Sequence, residues 1–439
     1  MIDFDAFRQR RKDFFEKLNG GAAIIPAAPL VKHHADCEYP FRQNSDFWYL
    51  TGFDEPNAVA LFLSHKAEGE RFILFVSPKE PDKEVWFGLR EGVEGAMTNF
   101  GADVAHSLDD FPKELSNYLK GSENIFFRIG QHPSLEKLVL KVWASQLDQR
   151  SRTGSSPHSL IPPCPLIHQM RLKKQPEEIE SIRQAVRISA GAHELAREMT
   201  SPGMNERQIQ ALIEQYFLEQ GARGPAYNSI VAGGDNACVL HYTSNNAILK
   251  NGDLLLIDAG CSMPNYYNGD ITRTFPINGK FTSSQRAIYE IVLDAQTTAI
   301  DSVTLKYTAE DVHQIALRTL VEGLRDLGLL RGSIDSLLEQ NSYRHLYMHK
   351  TGHWLGLDVH DVGAYRLGDY HVDLEPGMVL TVEPGVYISD RIPVPEGQPE
   401  IDDCWKGIGV RIEDDVLVTD EKPEVLSQNA LKTVEEISC

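Results

Sequence analysis

The run Leu254-Leu255-Leu256-Ile257 is apolar on both faces of any strand it forms, so that strand belongs inside a body covered from two sides. It ends in a carboxylate, Asp258. Leaving an isolated charge there would cost several kcal/mol even after relaxation, so the fold has to pair Asp258 or offer it a cation. Ala259-Gly260 permits a close turn, and Asp270, twelve residues beyond Asp258, opens DITRTFPI, whose alternation predicts the returning strand of a hairpin. The pattern recurs twice. Met378–Val382 is apolar and runs into Glu383-Pro384-Gly385. Gly409–Val418 reads as one strand whose period of two sets Arg411 and Glu413 on one face and Val410 and Ile412 on the other. Arg411 is thereby able to orient and partly neutralise a carboxylate cluster.

Each acid alone has an ordinary explanation. Asp258 can cap a turn, Asp270 and Glu383 can be solvated loop ends, and Glu413 can pair with Arg411. Four acids at the ends of apolar strands are harder to explain separately, above all beside the segment HKTGHWLGLDVH. That segment, His349 to His360, holds three of the chain's 15 histidines within twelve residues. Imidazole suits both metal ligation and proton transfer near neutral pH, although a single histidine in an aromatic-rich loop is more often a packing residue. A shared divalent site accounts for acids and histidines together. Oxygen-rich ligation with one imidazole suits manganese, cobalt or zinc. Four carboxylates and a histidine exceed what one ion with an open position needs, whereas two ions about 3.5–4 Å apart would use them all. The chemistry implied is metal-assisted hydrolysis.

At 439 residues the chain is long enough for two or three domains. The first 165 or so read as an α/β unit. Ala23–Ile25, Asn57–Ser64, Arg71–Ser77 and Asn124–Ile129 are its strands, and Phe111–Leu119 and Pro133–Gln146 its covering helices. A Pro-rich passage, Gln149 to Pro165, marks the boundary, giving expected domains 1–170 and 171–439. Beyond it, helices are signalled from Pro176, from Asn205 (with Gln208 completing a capping box) to Gly221, from Ser283 to Val303, and from Thr308 to Leu327. No internal repeat or low-complexity segment is visible.

The net charge of -20 opposes phosphate binding and argues against a nucleic-acid partner. Six scattered cysteines lack the close pairs of zinc or redox motifs. The charged N-terminal segment has no apolar core of a signal peptide, and nowhere do 18 apolar residues run together, so a cytoplasmic protein without a membrane span is expected.

These motifs resemble the pita-bread metallopeptidases, and among them the Xaa-Pro aminopeptidases (aminopeptidase P), with prolidase as a close relative. The resemblance covers nearly the whole chain. FRQNSDFWYLTGFDEPNA (Phe41 to Ala58) and Trp86-Phe87-Gly88 resemble that family's non-catalytic domain. HYT at His241, IDAG at Asp258, DITRTFP at Asp270, HWLGLDVHD at His353, EPGMVLTVEPG at Glu375 and GIGVRIEDD at Gly407 resemble its catalytic domain. The resemblance implies an α/β N-terminal domain and an α+β pita-bread catalytic domain. It further implies that Asp258, Asp270, His353, Glu383 and Glu413 ligate two divalent ions, most often Mn2+ with Co2+ or Zn2+ as alternatives, and that Asp270 and Glu413 bridge them. Glu383 would also steer the proton of a bridging hydroxide. His241, His349 and His360 would bind substrate and stabilise the tetrahedral intermediate, and Arg411 would support Glu413 or Asp258. Tyr387 and Trp86 are further pocket-lining candidates. The implied substrates are peptides with proline second, and the implied assembly is a homodimer or homotetramer. Prolidase, which shares the ligands but takes dipeptides, and a non-catalytic peptide-binding module on the same fold are the alternatives.

Two departures stand out. The family often spaces its first two aspartates eleven apart, against twelve here, which implies a longer turn at Met263-Pro264-Asn265. Tyr365–Asp373 also departs from the family pattern.

Overall fold

The computed structural model of the chain describes residues 4–389 and 391–438, in two compact units that divide between Arg171 and Leu172. The first is built on one mixed six-stranded sheet. Its strands are β1 (Ala22–Pro26), β2 (Val59–Leu63), β3 (Phe72–Val76), β4 (Val104–Ser107), β5 (Asn124–Phe126) and β6 (Ser159–Ile161), in the spatial order β4-β3-β2-β1-β5-β6. β2 and β3 are buried at every position, as their unbroken apolar runs require. Helices Phe111–Tyr118 and Pro133–Thr153 cover one face through Phe111, Leu115 and Val139. Phe14, from the N-terminal helix, meets Phe62 edge to face. β4 and β6 were not legible in the sequence. Both are edge strands and mostly half-buried, so nothing forces an apolar pattern on them. The passage after Gln149 finishes the second helix and supplies β6, so most of it is regular structure of the first unit.

In the second unit, Pro176–Met199 and Glu206–Glu219 are helices that open with capping boxes, at Gln175 with Glu178 and at Asn205 with Gln208. Helices Ser283–Asp301 and Ala309–Asp326 follow, capped by Thr282 and Thr308. Strands β7 (Ile230–Gly233), β8 (Leu254–Asp258) and β9 (Thr272–Pro276) form an antiparallel sheet in which Asp258 faces Ile230 on one side and Thr272 on the other. The β8–β9 hairpin predicted from the sequence is present. Its turn folds back through the Met263–Tyr267 hydrogen bond of 2.8 Å, with Tyr266 at φ 68°.

The expectation of one continuous strand over 409–418 is corrected by the structure. The chain forms β12 (Ile408–Arg411), paired with β11 (Gly385–Ile388), and then β13 (Asp414–Leu417), paired with β10 (Val379–Val382). The facing chain breaks at the same level, at Glu383-Pro384. Pro384 has no N–H to continue the ladder, and Glu413 turns its own N–H to Thr272 of β9 at 3.1 Å. Two acids are thus left at paired breaks, next to the end of β8. Among the described residues no helix is long and apolar enough to cross a membrane.

Close backbone approach fixes this meeting point. A Cβ on Gly260 would lie 1.8 Å from the carbonyl oxygen of Gly269. Gly260→Ala must push the two arms of the hairpin apart, and a loss of about 3 kcal/mol in urea unfolding is expected. A change below 0.5 kcal/mol, on the order of an ordinary surface substitution, would show that the approach is not required.

Candidate metal centre

Asp270, His353 and Glu413 offer ligand atoms that all lie within 4.8 Å of one another. His353 Nε2 lies 3.4 Å from Asp270 and 3.6 Å from Glu383. Its other nitrogen, Nδ1, is 3.1 Å from the Trp354 carbonyl oxygen, so Nδ1–H donates there and Nε2 turns to the acids. The loop that carries it is sewn to β10: Thr381 N–H donates to the His353 carbonyl, and Glu383 N–H to that of Thr351, at 2.9 and 2.7 Å. Asp258 joins the same group through Tyr227, whose hydroxyl lies 2.7 Å from Asp258 and 2.5 Å from Asp270. The strand ends and breaks therefore bring together all five residues expected as ligands.

Arg411 settles an alternative that the sequence left open. Its guanidinium donates to Asp258 at 2.6 Å and to the Tyr387 hydroxyl at 3.0 Å, so among the described contacts its carboxylate partner is Asp258 rather than Glu413. Tyr387 hydroxyl in turn lies 2.8 Å from His349 Nε2, while His349 Nδ1 meets the Lys350 carbonyl oxygen at 2.8 Å. Burial, helped by the charge of Arg411, depresses the His349 pKa to about 4, so its ring is neutral at pH 7. Both of its nitrogens are occupied by the protein. His360 differs: it is exposed, its ring centroid sits 4.0 Å from that of His353, and burial with the charge of His353 lowers its pKa. His241 is exposed on the loop after β7. Trp86 lies in the first unit, where the residue is 80% exposed.

The sequence reading missed three participants. Tyr227 precedes β7 without any pattern to mark it. Thr272 donates its hydroxyl to Glu413 at 2.7 Å. Asp415, fully buried, accepts the Asp270 N–H at 3.0 Å. Asp415 stands two residues after Glu413, and a strict count of alternate positions would have found it.

The donors fit divalent cations. Burial, reinforced by Asp270, Glu383 and Asp258, raises Glu413 well above the carboxylate range, and burial first of all pushes Glu383 to about 7. Four acids face one guanidinium, so the cluster has more negative charge than the chain itself compensates. Burial opposes a charged His353, yet the hydrogen bond to Asp270 and the charges of Glu383 and Asp270 outweigh it and lift its pKa to about 9. At pH 7 the metal-free protein therefore holds a proton on His353 that a cation must displace. Mn2+ binding is expected to release protons and to tighten as pH rises from 6 towards 9. Titration calorimetry in buffers of different ionisation enthalpy measures this, and binding heats independent of buffer would refute it.

Residues 180–420 match the family model described as metallopeptidase family M24. The chain belongs to that family. Every residue of the centre, from Tyr227 to Asp415, falls inside the M24 match. Residues 7–126 match the aminopeptidase P N-terminal domain, and together the two matches account for the α/β unit followed by the M24 fold. The chain is 43% identical to the Xaa-Pro aminopeptidase of Escherichia coli K12, over 99% of this chain and 97% of that protein. The structure of the Pseudomonas aeruginosa aminopeptidase PepP superposes with a TM-score of 0.93 at 41% identity, covering 99% of this chain and 97% of that one. A zinc-substituted E. coli aminopeptidase P in complex with product superposes with a TM-score of 0.92 at 43% identity and the same coverage.

Proposed function

We propose that the protein is a metal-dependent Xaa-Pro aminopeptidase that releases the first residue from peptides with proline second. The observation that carries this is the gathering of Asp258, Asp270, His353, Glu383 and Glu413 at the breaks of β10–β13, in a chain 43% identical along its length to an Xaa-Pro aminopeptidase. These five residues would hold two divalent ions, manganese by preference with cobalt or zinc as substitutes. Divalent ions at such a site lower the pKa of water and polarise a carbonyl.

The chain's own groups do the rest. Glu383 takes the proton lost when water adds to the Xaa-Pro carbonyl and delivers it to the proline nitrogen as the C–N bond breaks. The exposed rings of His241 and His360 donate hydrogen bonds to the substrate carbonyl and to the charge that develops on it. His349, with both nitrogens taken, acts through Tyr387, which it holds against Arg411. Arg411 fixes Asp258.

A cytoplasmic setting agrees with the absence of disulfides among the described cysteines. Val85, Trp86, Phe87 and Leu89 are each at least 71% exposed, an apolar face suited to contact with another copy in a homodimer or homotetramer. Product analysis on matched di-, tri- and tetrapeptides with proline second, in the presence of manganese, tests the activity. Release of the first residue from the tri- and tetrapeptides is expected. Hydrolysis confined to dipeptides would replace this reading with prolidase.

A further inference from the structure

The loop from Gly233 to Ile248 carries His241, and the ring of His241 makes no hydrogen bond within the described residues. No hydrogen bond of its own holds the ring, so its position depends on the loop backbone that carries it. That backbone is fastened to the first turn of one helix, Glu206–Glu219. Asn205 donates to the Asn246 carbonyl at 2.9 Å, and Arg207 to the Ser244 carbonyl at 2.6 Å, both at exposed positions. Glu206 lies between them and is fully buried. Its two carboxylate oxygens accept four hydrogen bonds. Oε1 takes the Gly233 N–H at 2.8 Å and the Asn236 amide at 3.0 Å; Oε2 takes the Tyr242 hydroxyl at 2.8 Å and the Ala247 N–H at 2.8 Å. The Glu206 N–H closes the set by donating to the Ala247 carbonyl at 2.9 Å.

These partners run from Gly233, the last residue of β7, to Ala247, and one of them, Tyr242, is the neighbour of His241. Among the described residues no cation makes an ion pair with this carboxylate. Four donors satisfy it instead, together with the positive end of the helix whose first residue it is. A buried acid of this kind is expensive to keep for stability alone, because an apolar side chain could fill the same space without desolvating a charge. What an apolar residue could not do is gather four separate points of a loop around one centre.

We propose that Glu206 is a positioning residue for the reaction: it sets the loop Gly233–Ile248 so that His241 stands at the substrate. The inference rests on the role given to His241 above. Glu206→Gln keeps the shape but replaces one acceptor oxygen by an NH2 group that confronts two donors, so half of the hub is lost. Because His241 touches substrate only where the loop holds it, the loss falls on turnover while the metal ligands, which lie on other elements, keep their places.

The test is a double-mutant cycle on the manganese-loaded enzyme. Glu206→Gln is expected to lower kcat/KM by about 30-fold with unchanged manganese content, and to speed amide exchange at Gly233 or at Ala247, whichever faces the new NH2 group. In a His241→Ala background the same substitution should lower kcat/KM by less than about threefold, since nothing is left to position. Equal losses in both backgrounds overturn the proposal, as does unchanged amide exchange. Full activity of His241→Ala by itself overturns the role of His241 and removes the object of the positioning, whereas the exchange data still report whether Glu206 orders the loop. Should Glu206→Gln fail to fold, Tyr242→Phe removes one donor and leaves the carboxylate in place. A loss of a few-fold that vanishes in the His241→Ala background supports the proposal, and an additive loss overturns it.

Discussion

Glu383→Gln is expected to lower kcat by about 10³-fold while the protein retains its manganese, the size of effect that loss of a general acid–base group produces. The substitution keeps an oxygen able to ligate a cation and keeps the side-chain volume. It removes the capacity to accept and return a proton. In the metal-free protein burial, with the charges of Asp270 and Asp258, raises the Glu383 pKa, and His353 and Arg411 restrain the rise to about 7. A carboxylate held at this point is placed to accept a proton from the attacking water and to return it to the departing proline nitrogen. The backbone holds the group in place, since its N–H is tied to Thr351 at 2.7 Å and Pro384 follows directly. Metal analysis beside single-turnover kinetics separates the cases. Activity lost in proportion to metal would make Glu383 a ligand only. Activity near that of the parent enzyme would remove it from proton transfer.

The carboxylates proposed as ligands were legible as a group because acids at the ends of apolar strands break a local rule, whereas His353 was set apart from its neighbouring histidines only by the family resemblance. An acid at the end of a strand buried on both faces, such as Asp258, contradicts the pattern that precedes it, and such contradictions mark functional sites. The long amphipathic helices and the β8–β9 hairpin were legible for the usual reason, that one buried face imposes a period. The break at Ile412-Glu413 was not. Alternation runs through it without a fault, and only the facing Pro384, distant in sequence, interrupts the ladder. Edge strands β4 and β6 escaped because half-buried positions accept polar residues. The segment Tyr365–Asp373, which departs from the family pattern, is a small exposed hairpin with Leu367 at 67% and Tyr370 at 81% exposure, where no core constrains the residues. Tyr227 is the instructive omission. A tyrosine that bonds two aspartates at once has no sequence signature, because its function is a relation among three elements.

His353→Ala should fail in a different way from Glu383→Gln, through the metal rather than the proton. His353 is the one imidazole among the five proposed ligands, and its orientation is fixed at both ends, by the Trp354 carbonyl at Nδ1 and by Asp270 and Glu383 at Nε2. Loss of a group that merely orients a ligand weakens metal by about 10- to 100-fold, so loss of the ligand itself is expected to raise the apparent manganese Kd by more than about 100-fold. Saturating manganese should then restore part of the turnover, which it cannot do for Glu383→Gln. His360→Ala supplies the control. Its ring lies 4.0 Å from that of His353, yet it is exposed and holds none of the acids, so it should keep the metal and lose turnover. The metal-free protein adds an independent readout. The His353 pKa rises from 6.5 to about 9 on folding, so its protonation contributes stability that is complete below pH 6.5 and lost as pH passes 9. His353→Ala should therefore lower the Tm of the metal-free protein more at pH 6 than at pH 9.5. A uniform loss at both pH values would mean that the histidine packs there without compensating the acids around it.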